Sequence, residues 1–142
     1  MLEYYMLPKL IGFAESAWSP ERKWETQSNR EQRIKSMETG WNQFANTIAQ
    51  KEFARLAHTN GGYAYRVPPA GVIIENGQAK ANVALPGVSI HYTTNGSEPT
   101  LQSAVYNGPI PAMGTLKFKT FDASGKPGRT VVQEGAQGQK LN

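Results

Sequence analysis

The chain contains no cysteine, a single aspartate and no long apolar run. The lack of cysteine excludes disulfides, thiolate chemistry and a cysteine-built zinc site. No segment approaches the roughly 18 consecutive apolar residues of a membrane-spanning helix, and residues 1–5 lack the basic region and cleavage site of a signal peptide. With 39% hydrophobic and 18% charged residues, the composition predicts a globular chain that is neither disordered nor embedded in a membrane.

The positive charge is small and dispersed. The formal net charge is +4, and the densest basic stretch (Arg30, Arg33 and Lys35) is interleaved with Glu31 and Glu38. Nucleic-acid-binding surfaces concentrate lysine and arginine on one face. We therefore predict a solvated, mildly basic surface and no nucleic-acid partner.

The first sixty residues have helical periodicity. Pro8 suits the first turn of a helix, and a group of apolar residues recurs on one face with a period of 3.6 residues. We label the predicted helix at residues 7–18 α1 and call this group the α1 stripe: Leu7, Leu10, Ile11, Ala14, Ala17 and Trp18. The sequence Ser-Pro-Glu at residues 19–21 is predicted to end this helix and is suited to start another.

A second apolar stripe follows a polar segment. Residues 24–39 have no clear apolar period, which leaves open whether they are helical in part. The second stripe covers about half of a helical wheel: Trp41, Phe44, Ala45, Ile48, Ala49, Phe53 and Leu56. The sequence Asn60-Gly61-Gly62 is predicted to end this helix, because these residues tolerate positive φ.

The second half of the chain has the pattern of strands. Val-Pro-Pro-Ala-Gly at residues 67–71 cannot continue a helix and predicts a stiff linker into an edge strand. Val88, Ile90 and Tyr92 share one face of an alternating run, and Gly- and Pro-containing turns separate such runs. The predicted strands are residues 72–75, 79–85, 88–94, 116–121 and 129–133, and the tail at 135–142 is predicted to fray.

These patterns together predict an α+β fold in two parts. Residues 1–62 would be helical, and residues 63–142 would form an antiparallel immunoglobulin-like β-sandwich. A helical segment of this size rarely folds alone. Its apolar stripes must therefore be buried on the sandwich or on a partner that this chain does not contain.

The helical part carries a family resemblance. Tyr-Tyr-Met-Leu-Pro-Lys-Leu at residues 4–10 and Ala-Glu-Ser-Ala-Trp-Ser at residues 14–19 resemble the final barrel helix of glycoside hydrolase family 20. Trp-Asn-Gln-Phe at residues 41–44 and Tyr-Arg-Val-Pro-Pro-Ala-Gly at residues 65–71 resemble the exit from that barrel. The resemblance implies that the helices are the end of a TIM barrel whose remainder is the missing partner.

The strand part carries a second resemblance. Ile-His-Tyr-Thr-Thr-Asn-Gly-Ser-Glu-Pro-Thr at residues 90–100 is similar to the turn motif of the chitobiase/β-hexosaminidase C-terminal domain. An Asp often occupies the place of Asn95 in that motif, and both residues tolerate the turn. The two resemblances touch nearly the whole chain, apart from residues 24–39 and the tail.

The resemblance implies a parent β-N-acetylhexosaminidase, bacterial and periplasmic or secreted. Such enzymes remove terminal N-acetylhexosamine from glycans or chitin fragments: the sugar's own acetamido group attacks the anomeric carbon while a carboxylic acid protonates the leaving oxygen. The family's adjacent Asp-Glu pair and its Trp-Gly-Glu element do not occur in this sequence. The chain alone is therefore expected to be inactive.

The sequence predicts no catalytic, cofactor-binding or metal-ligating residue in this chain. Asp122 is expected to cap a turn, and Glu15 is expected to be a half-buried structural acid paired with an arginine or a backbone donor. An outer barrel helix is far from the strand ends where such sites form. His58 and His91 lack an i,i+4 partner, and residues 135–138 do not form a phosphate-binding loop.

Aromatic side chains are the remaining candidates for function. Tyr92 and Tyr106 are candidates for a sugar-stacking platform, although alternation places Tyr92 on the core face. Trp18 and Trp41 are expected to be packing anchors. Three hypotheses stay open: an inert scaffold fragment of an enzyme, a carbohydrate-binding module with a solvent-facing aromatic row, and an unrelated protein-interaction sandwich with residues 90–100 on a binding edge. If the α1 stripe is exposed, it predicts self-association or docking of the helices.

Overall fold

The computed structural model of the protein describes residues 2–20, 22 and 24–136. The chain divides into two compact units, Met1–Arg66 and Val67–Asn142. We call them the helical unit and the sandwich unit. The sequence-based boundary between residues 62 and 63 stays a prediction.

The helical unit is built from consecutive helical elements. In chain order they are α1 (Leu2–Trp18), α2 (Arg30–Thr47), a π-helical turn (Ile48–Glu52), α3 (Phe53–His58) and a 3-10 turn (Thr59–Gly61). The chain leaves this run through three residues with positive φ: Asn60 at 53°, Gly61 at 84° and Gly62 at 94°. The predicted helix-ending role of these three residues is confirmed.

The second helix does not begin where residues 19–21 suggested. The Ser19 hydroxyl donates a hydrogen bond back to Glu15 Oε1 at 2.6 Å, so it does not cap a following helix. Instead α2 begins at Arg30, where the Asn29 side chain accepts a hydrogen bond from the Gln32 N–H at 3.1 Å. The expectation of a helix start at Ser19 and Pro20 is therefore wrong, and Glu21 lies outside the described residues.

The two apolar stripes differ in burial. In the second stripe Ala45, Ile48, Ala49 and Phe53 are buried, and the Phe53 ring stacks on Tyr65 with centroids 4.8 Å apart. The α1 stripe is largely open, since four of its six residues are exposed: Leu10, Ala14, Ala17 and Trp18. The C-terminal half of the second stripe therefore has a partner within the chain, whereas most of the α1 stripe has none among the described residues.

The sandwich unit consists of two antiparallel sheets. Its strands are β1 (Gly71–Glu75), β2 (Gln78–Asn82), β3 (Ser89–Thr93), β4 (Ala104–Val105), β5 (Ile110–Pro111), β6 (Thr115–Phe121) and β7 (Val131–Glu134). The first sheet has the order β1-β2-β5, and the second has the order β4-β3-β6-β7. The core draws on both sheets and on neighbouring segments: Ala70, Ala79, Ile90, Ala112, Leu116 and Phe118. The predicted α+β fold with an antiparallel sandwich is confirmed.

Several details of the strands differ from the prediction. The strand expected to run to residue 85 ends at Asn82, and the short edge strands β4 and β5 were not predicted. Pro111 lies in β5, which is an edge strand, where proline leaves no central ladder bond unmade. The predicted fraying is wrong for residues 135 and 136, because Gly135 and Ala136 donate backbone hydrogen bonds to Gly114 and Ala112. Residues 137–142 lie outside the described part of the chain.

Candidate functional site

The family-like motif folds over the outer face of the second sheet. In β3, Ile90 belongs to the core, so the next residue, His91, points to the opposite face. His91 is nevertheless only 5% exposed, because a loop covers it. We call residues 94–103 the motif loop. Its Ser103 carbonyl lies 3.0 Å from His91 Nδ1, and its Pro99 is fully buried.

The tight turn at the start of the motif loop is held by side chains. Asn95 Oδ1 accepts hydrogen bonds from the Ser97 N–H at 3.0 Å and from the Ser97 hydroxyl at 2.6 Å. The Thr93 hydroxyl donates to the Ser97 carbonyl at 2.6 Å. Gly96 has φ of 74°, a conformation that glycine adopts without steric cost. These bonds explain why the motif has short polar residues around a glycine.

Glu98 fastens the motif loop to strand β6. Its carboxylate accepts a hydrogen bond from Lys119 Nζ at 2.8 Å and lies 3.9 Å from Lys117 Nζ. The Thr130 hydroxyl donates to the same carboxylate. The hydrogen bond from Lys119, followed by that from Thr130, lowers the pKa of Glu98. Glu98 is therefore a charged structural clamp between the motif loop and β6.

Asp122 caps the turn after β6. Its Oδ1 accepts from the Ser124 N–H at 2.9 Å, the Ser124 hydroxyl at 2.7 Å and the Lys126 N–H at 2.9 Å. Burial lowers the pKa of the Lys126 amine, and the Asp122 charge opposes that shift. The turn-capping role predicted for Asp122 is confirmed.

Glu15 lies beside a groove within the helical unit. The groove has a volume of about 450 Å³, and its lining includes Gly12, Arg22, Trp24, Met37, Trp41 and Phe44. Glu15 is exposed and accepts from the Ser19 hydroxyl, so the expectation of a half-buried acid paired with an arginine or a backbone donor is wrong. Glu15 is the one carboxylate among the described lining residues. A general acid–base pair that includes Glu15 would need a second titrating group within hydrogen-bond reach of the reacting atoms.

The two histidines bind backbone carbonyls. His58 Nδ1 lies 2.8 Å from the Ala54 carbonyl on α3, and His91 Nδ1 contacts the Ser103 carbonyl. Among the residues that the structure describes, no group of three or more His, Asp and Glu side chains is arranged to hold a metal ion. Residues 135 and 136 follow β7, and the remaining half of the Gly-Ala-Gln-Gly sequence at 135–138 is not described.

Three aromatic side chains of the sandwich unit, Tyr92, Tyr106 and Phe118, pack in or against its core. Tyr92 and Tyr106 both pack against the core and against Phe118, with ring centroids 6.1 Å from it in each case. The Tyr106 hydroxyl also accepts a hydrogen bond from the Ala81 N–H at 2.9 Å. The idea of a sugar-stacking platform on these two rings is therefore wrong. The alternation of apolar residues in the sequence had predicted that Tyr92 faces the core, whereas no sequence signal predicted which way Tyr106 faces.

Two tryptophans of the helical unit, Trp18 and Trp41, lie on the apolar stripes. Trp18 is 82% exposed, whereas Trp41 is 51% exposed and its ring centroid lies 6.1 Å from that of Phe44. The expectation of a packing anchor is therefore wrong for Trp18 within the described residues, and Trp41 packs on Phe44 with only part of its ring. Residues 7–18 are helical, as the enzyme-fragment hypothesis requires, and β3 is a central strand and not a binding edge.

The two antiparallel sheets, with a motif loop folded over the second one, define an immunoglobulin-like β-sandwich module. Residues 52–130 match the chitobiase/β-hexosaminidase C-terminal domain, and the chain belongs to this family. The match begins at Glu52, within the helical unit, and ends at Thr130 beside the Glu98 clamp. No helix in the described ranges is both long and apolar enough to cross a bilayer.

Two bacterial proteins show the same relationship. N,N'-diacetylchitobiase of Vibrio harveyi is 31% identical over 103 residues, which cover 66% of this chain and 11% of that protein. Beta-hexosaminidase of Vibrio vulnificus is 26% identical over 112 residues, which cover 67% of this chain and 13% of that protein. The chain therefore spans only about an eighth of the length of these relatives or less.

Proposed function

We propose that this chain is a structural module of a larger bacterial β-N-acetylhexosaminidase, periplasmic or secreted. The parent enzyme would hydrolyse terminal N-acetylhexosamine residues from glycans or chitin oligosaccharides. The helical unit would be the end of its catalytic barrel, and the sandwich unit would support that barrel from the C-terminal side. The module itself would supply no catalytic residue and no cofactor site.

The exposed α1 stripe is the observation that carries this proposal. Leu10 is 44% and Trp18 is 82% exposed, and Phe13 on the same helix is 69% exposed. Several large apolar side chains exposed on one helix favour an interaction site there. In relatives several times longer than this chain, the rest of the enzyme is available to cover that helix, which supports the barrel as its partner.

The carboxylates of the module support a non-catalytic role. Asp122 accepts from three donors in its own turn, and Glu98 is paired with lysines of β6. Glu15 is bonded to a neighbouring serine on an exposed helix. A glycosidase acid needs a raised pKa beside a sugar subsite, and the shift found at Glu98 runs the other way.

An activity assay separates the module from its parent. The chain alone, incubated with a chromogenic N-acetylglucosaminide, should release no chromophore, whereas the full-length parent protein should turn it over. Hydrolytic activity that stays with the purified chain through two different chromatography columns would refute the structural-module proposal. An inactive full-length parent would refute the proposed reaction.

Stripe variants test the proposed packing partner. Leu10→Gln with Trp18→Gln should destabilise the full-length parent by about 3–6 kcal/mol, since two large apolar side chains would lose their burial. In the chain alone both sites are open, so unfolding should change little and concentration-dependent self-association, measured by sedimentation, should decrease. Ile73→Gln, at a 54% exposed position of the sandwich unit, is the matched control. Equal effects of the stripe variant and the control on the parent would contradict a barrel contact.

A further inference from the structure

Four asparagines of this chain are followed by glycine: Asn60, Asn76, Asn95 and Asn107. In such a pair the backbone nitrogen of the glycine can attack the side-chain amide carbon of the asparagine, because glycine has no Cβ to obstruct the approach. The sequence gives no ground for ranking the four sites. Their side-chain surroundings in the structure do.

Asn95 is the site whose amide oxygen is held by two donors. The Ser97 N–H and the Ser97 hydroxyl both donate to Asn95 Oδ1, at 3.0 and 2.6 Å. Asn60 uses its amide nitrogen instead, which donates to the Tyr63 hydroxyl at 2.8 Å. No side-chain hydrogen bond forms at Asn76 or Asn107 within the described part of the chain.

Two donors on the amide oxygen favour attack at the amide carbon. Negative charge develops on that oxygen in the tetrahedral intermediate, and hydrogen-bond donors already aimed at it stabilise the charge. The bond from the Ser97 N–H also closes a ring that contains both the Asn95 amide carbon and the Gly96 nitrogen. Asn95 is exposed to water, and the Gly96 N–H makes none of the loop's backbone hydrogen bonds among the described residues.

We propose that Asn95-Gly96-Ser97 is a self-modifying site at which Asn95 deamidates. The Gly96 nitrogen gives its proton to solvent base and forms a bond to the Asn95 amide carbon, while the carbonyl electron pair moves to Oδ1 beside the Ser97 donors. The bond to the amide nitrogen then breaks, and that group takes up a proton and leaves as ammonia. Water opens the resulting succinimide, so one water is consumed, one ammonia is released and nothing is oxidised or reduced.

The two hydrolysis products have different consequences for the motif loop. An aspartate at residue 95 has two carboxylate oxygens, which can accept the hydrogen bonds from the Ser97 N–H and hydroxyl. An isoaspartate adds a methylene to the main chain between Thr93 and Glu98, and Glu98 is fixed to Lys119 on β6. The isoaspartyl form should therefore loosen the motif loop and lower the stability of the sandwich unit.

Site-resolved mass spectrometry tests the ranking of the four asparagines. The folded chain and a urea-unfolded sample are aged in warm, mildly alkaline buffer and digested, and the amide-to-acid conversion is followed at each site. In the folded chain Asn95 should convert fastest, and in the unfolded sample the four rates should become similar. Faster conversion of Asn60, Asn76 or Asn107 in the folded chain would overturn the proposal.

A serine variant tests the role of the donors. Ser97→Ala removes the hydroxyl donor and should slow Asn95 conversion in the folded chain about fivefold, the effect of one ordinary hydrogen bond. It should leave the unfolded rate unchanged. Ser103→Ala, in the same loop but bonded to the Thr100 N–H, should not slow it. An unchanged or faster folded rate in Ser97→Ala would overturn the proposed catalysis, and the wild-type ranking decides if that variant does not fold.

Discussion

Individual side chains of the motif loop mainly hold the loop in place through hydrogen bonds. Asn95 and Ser97 fix the turn, Glu98 reaches β6, and Ser103 accepts from the Thr100 N–H at 2.9 Å. This distribution explains why the motif is rich in polar residues: the polar groups satisfy one another and the backbone of the loop. Changes at these positions should therefore be visible as stability and not as loss of a ligand.

The Glu98 clamp predicts a defined pH dependence. The hydrogen bond from Lys119 lowers the pKa of Glu98. The ionised Glu98 therefore stabilises the folded chain above the usual pKa of a glutamate, and this stabilisation is lost as the pH falls through the lowered pKa. Glu98→Gln should lower the free energy of unfolding near neutral pH by about 0.5–1 kcal/mol, since the pair is half exposed and screened. Urea titrations of both proteins across the acid range should converge at low pH, and high salt should also reduce the difference. A difference that persists at low pH would contradict an electrostatic clamp.

The buried turn at Asp122 predicts a larger effect. Asp122→Ala would remove the acceptor for the Ser124 and Lys126 N–H groups, and the free energy of unfolding should fall by about 2–3 kcal/mol. Asp122→Asn keeps one accepting oxygen and should cost less. Urea unfolding measures both variants. If Asp122→Ala and Asp122→Asn were equally destabilising, the loss of the hydrogen bonds would not be the cause.

At the scale of elements, the segment before β1 packs closely against β6 and the chain that follows it. The Thr120 hydroxyl donates to the Pro68 carbonyl at 2.7 Å, and the Gly128 N–H donates to the Thr120 carbonyl at 2.8 Å. A Cβ at Gly128 would overlap the Thr120 hydroxyl and would lie 3.1 Å from the Val67 carbonyl oxygen. The linker is therefore part of the sandwich unit's packing and not a free connection.

A glycine pair tests this packing. Gly128→Ala should destabilise the sandwich unit by about 1–3 kcal/mol, because a well-packed contact would have to open. At Gly108 a Cβ would meet nothing within 4 Å, so Gly108→Ala should stay within about 0.5 kcal/mol of the wild type. Thermal unfolding followed by circular dichroism compares them. A Gly128→Ala protein as stable as Gly108→Ala would show that the linker can move away from β6 at little cost.

The start of α2 was not predicted from the sequence. Residues 30–39 lie in that helix with mostly exposed side chains, so they carry little of the apolar period on which helix prediction relies. A capping signal was available in Asn29 followed by Gln32 three residues later. Strands β4 and β5 were missed for another reason: each has two residues, too few for alternation to be read.

On the scale of the whole molecule, two compact units suggest separable folding. The core cluster of the sandwich lies within residues 67–142. A protein of residues 67–142 should therefore unfold cooperatively in urea with a single midpoint by both fluorescence and circular dichroism. The family match beginning at Glu52 makes residues 52–142 the informative comparison. If residues 52–142 unfold cooperatively and residues 67–142 do not, α3 belongs to the folding unit.

The sequence by itself determined the fold class, the family and the turn at Asp122, because these depend on local periodicity, on short-range turn chemistry and on motifs that are contiguous in the chain. Only the tertiary structure decided where the motif loop lies and what Glu98 binds. Lys119 is 21 residues from Glu98 and Thr130 is 32 residues away, and no local pattern encodes such a pairing. The same holds for burial: Tyr106 and Trp18 are both large aromatics in the sequence, but Tyr106 packs against the core and Trp18 is left in solvent.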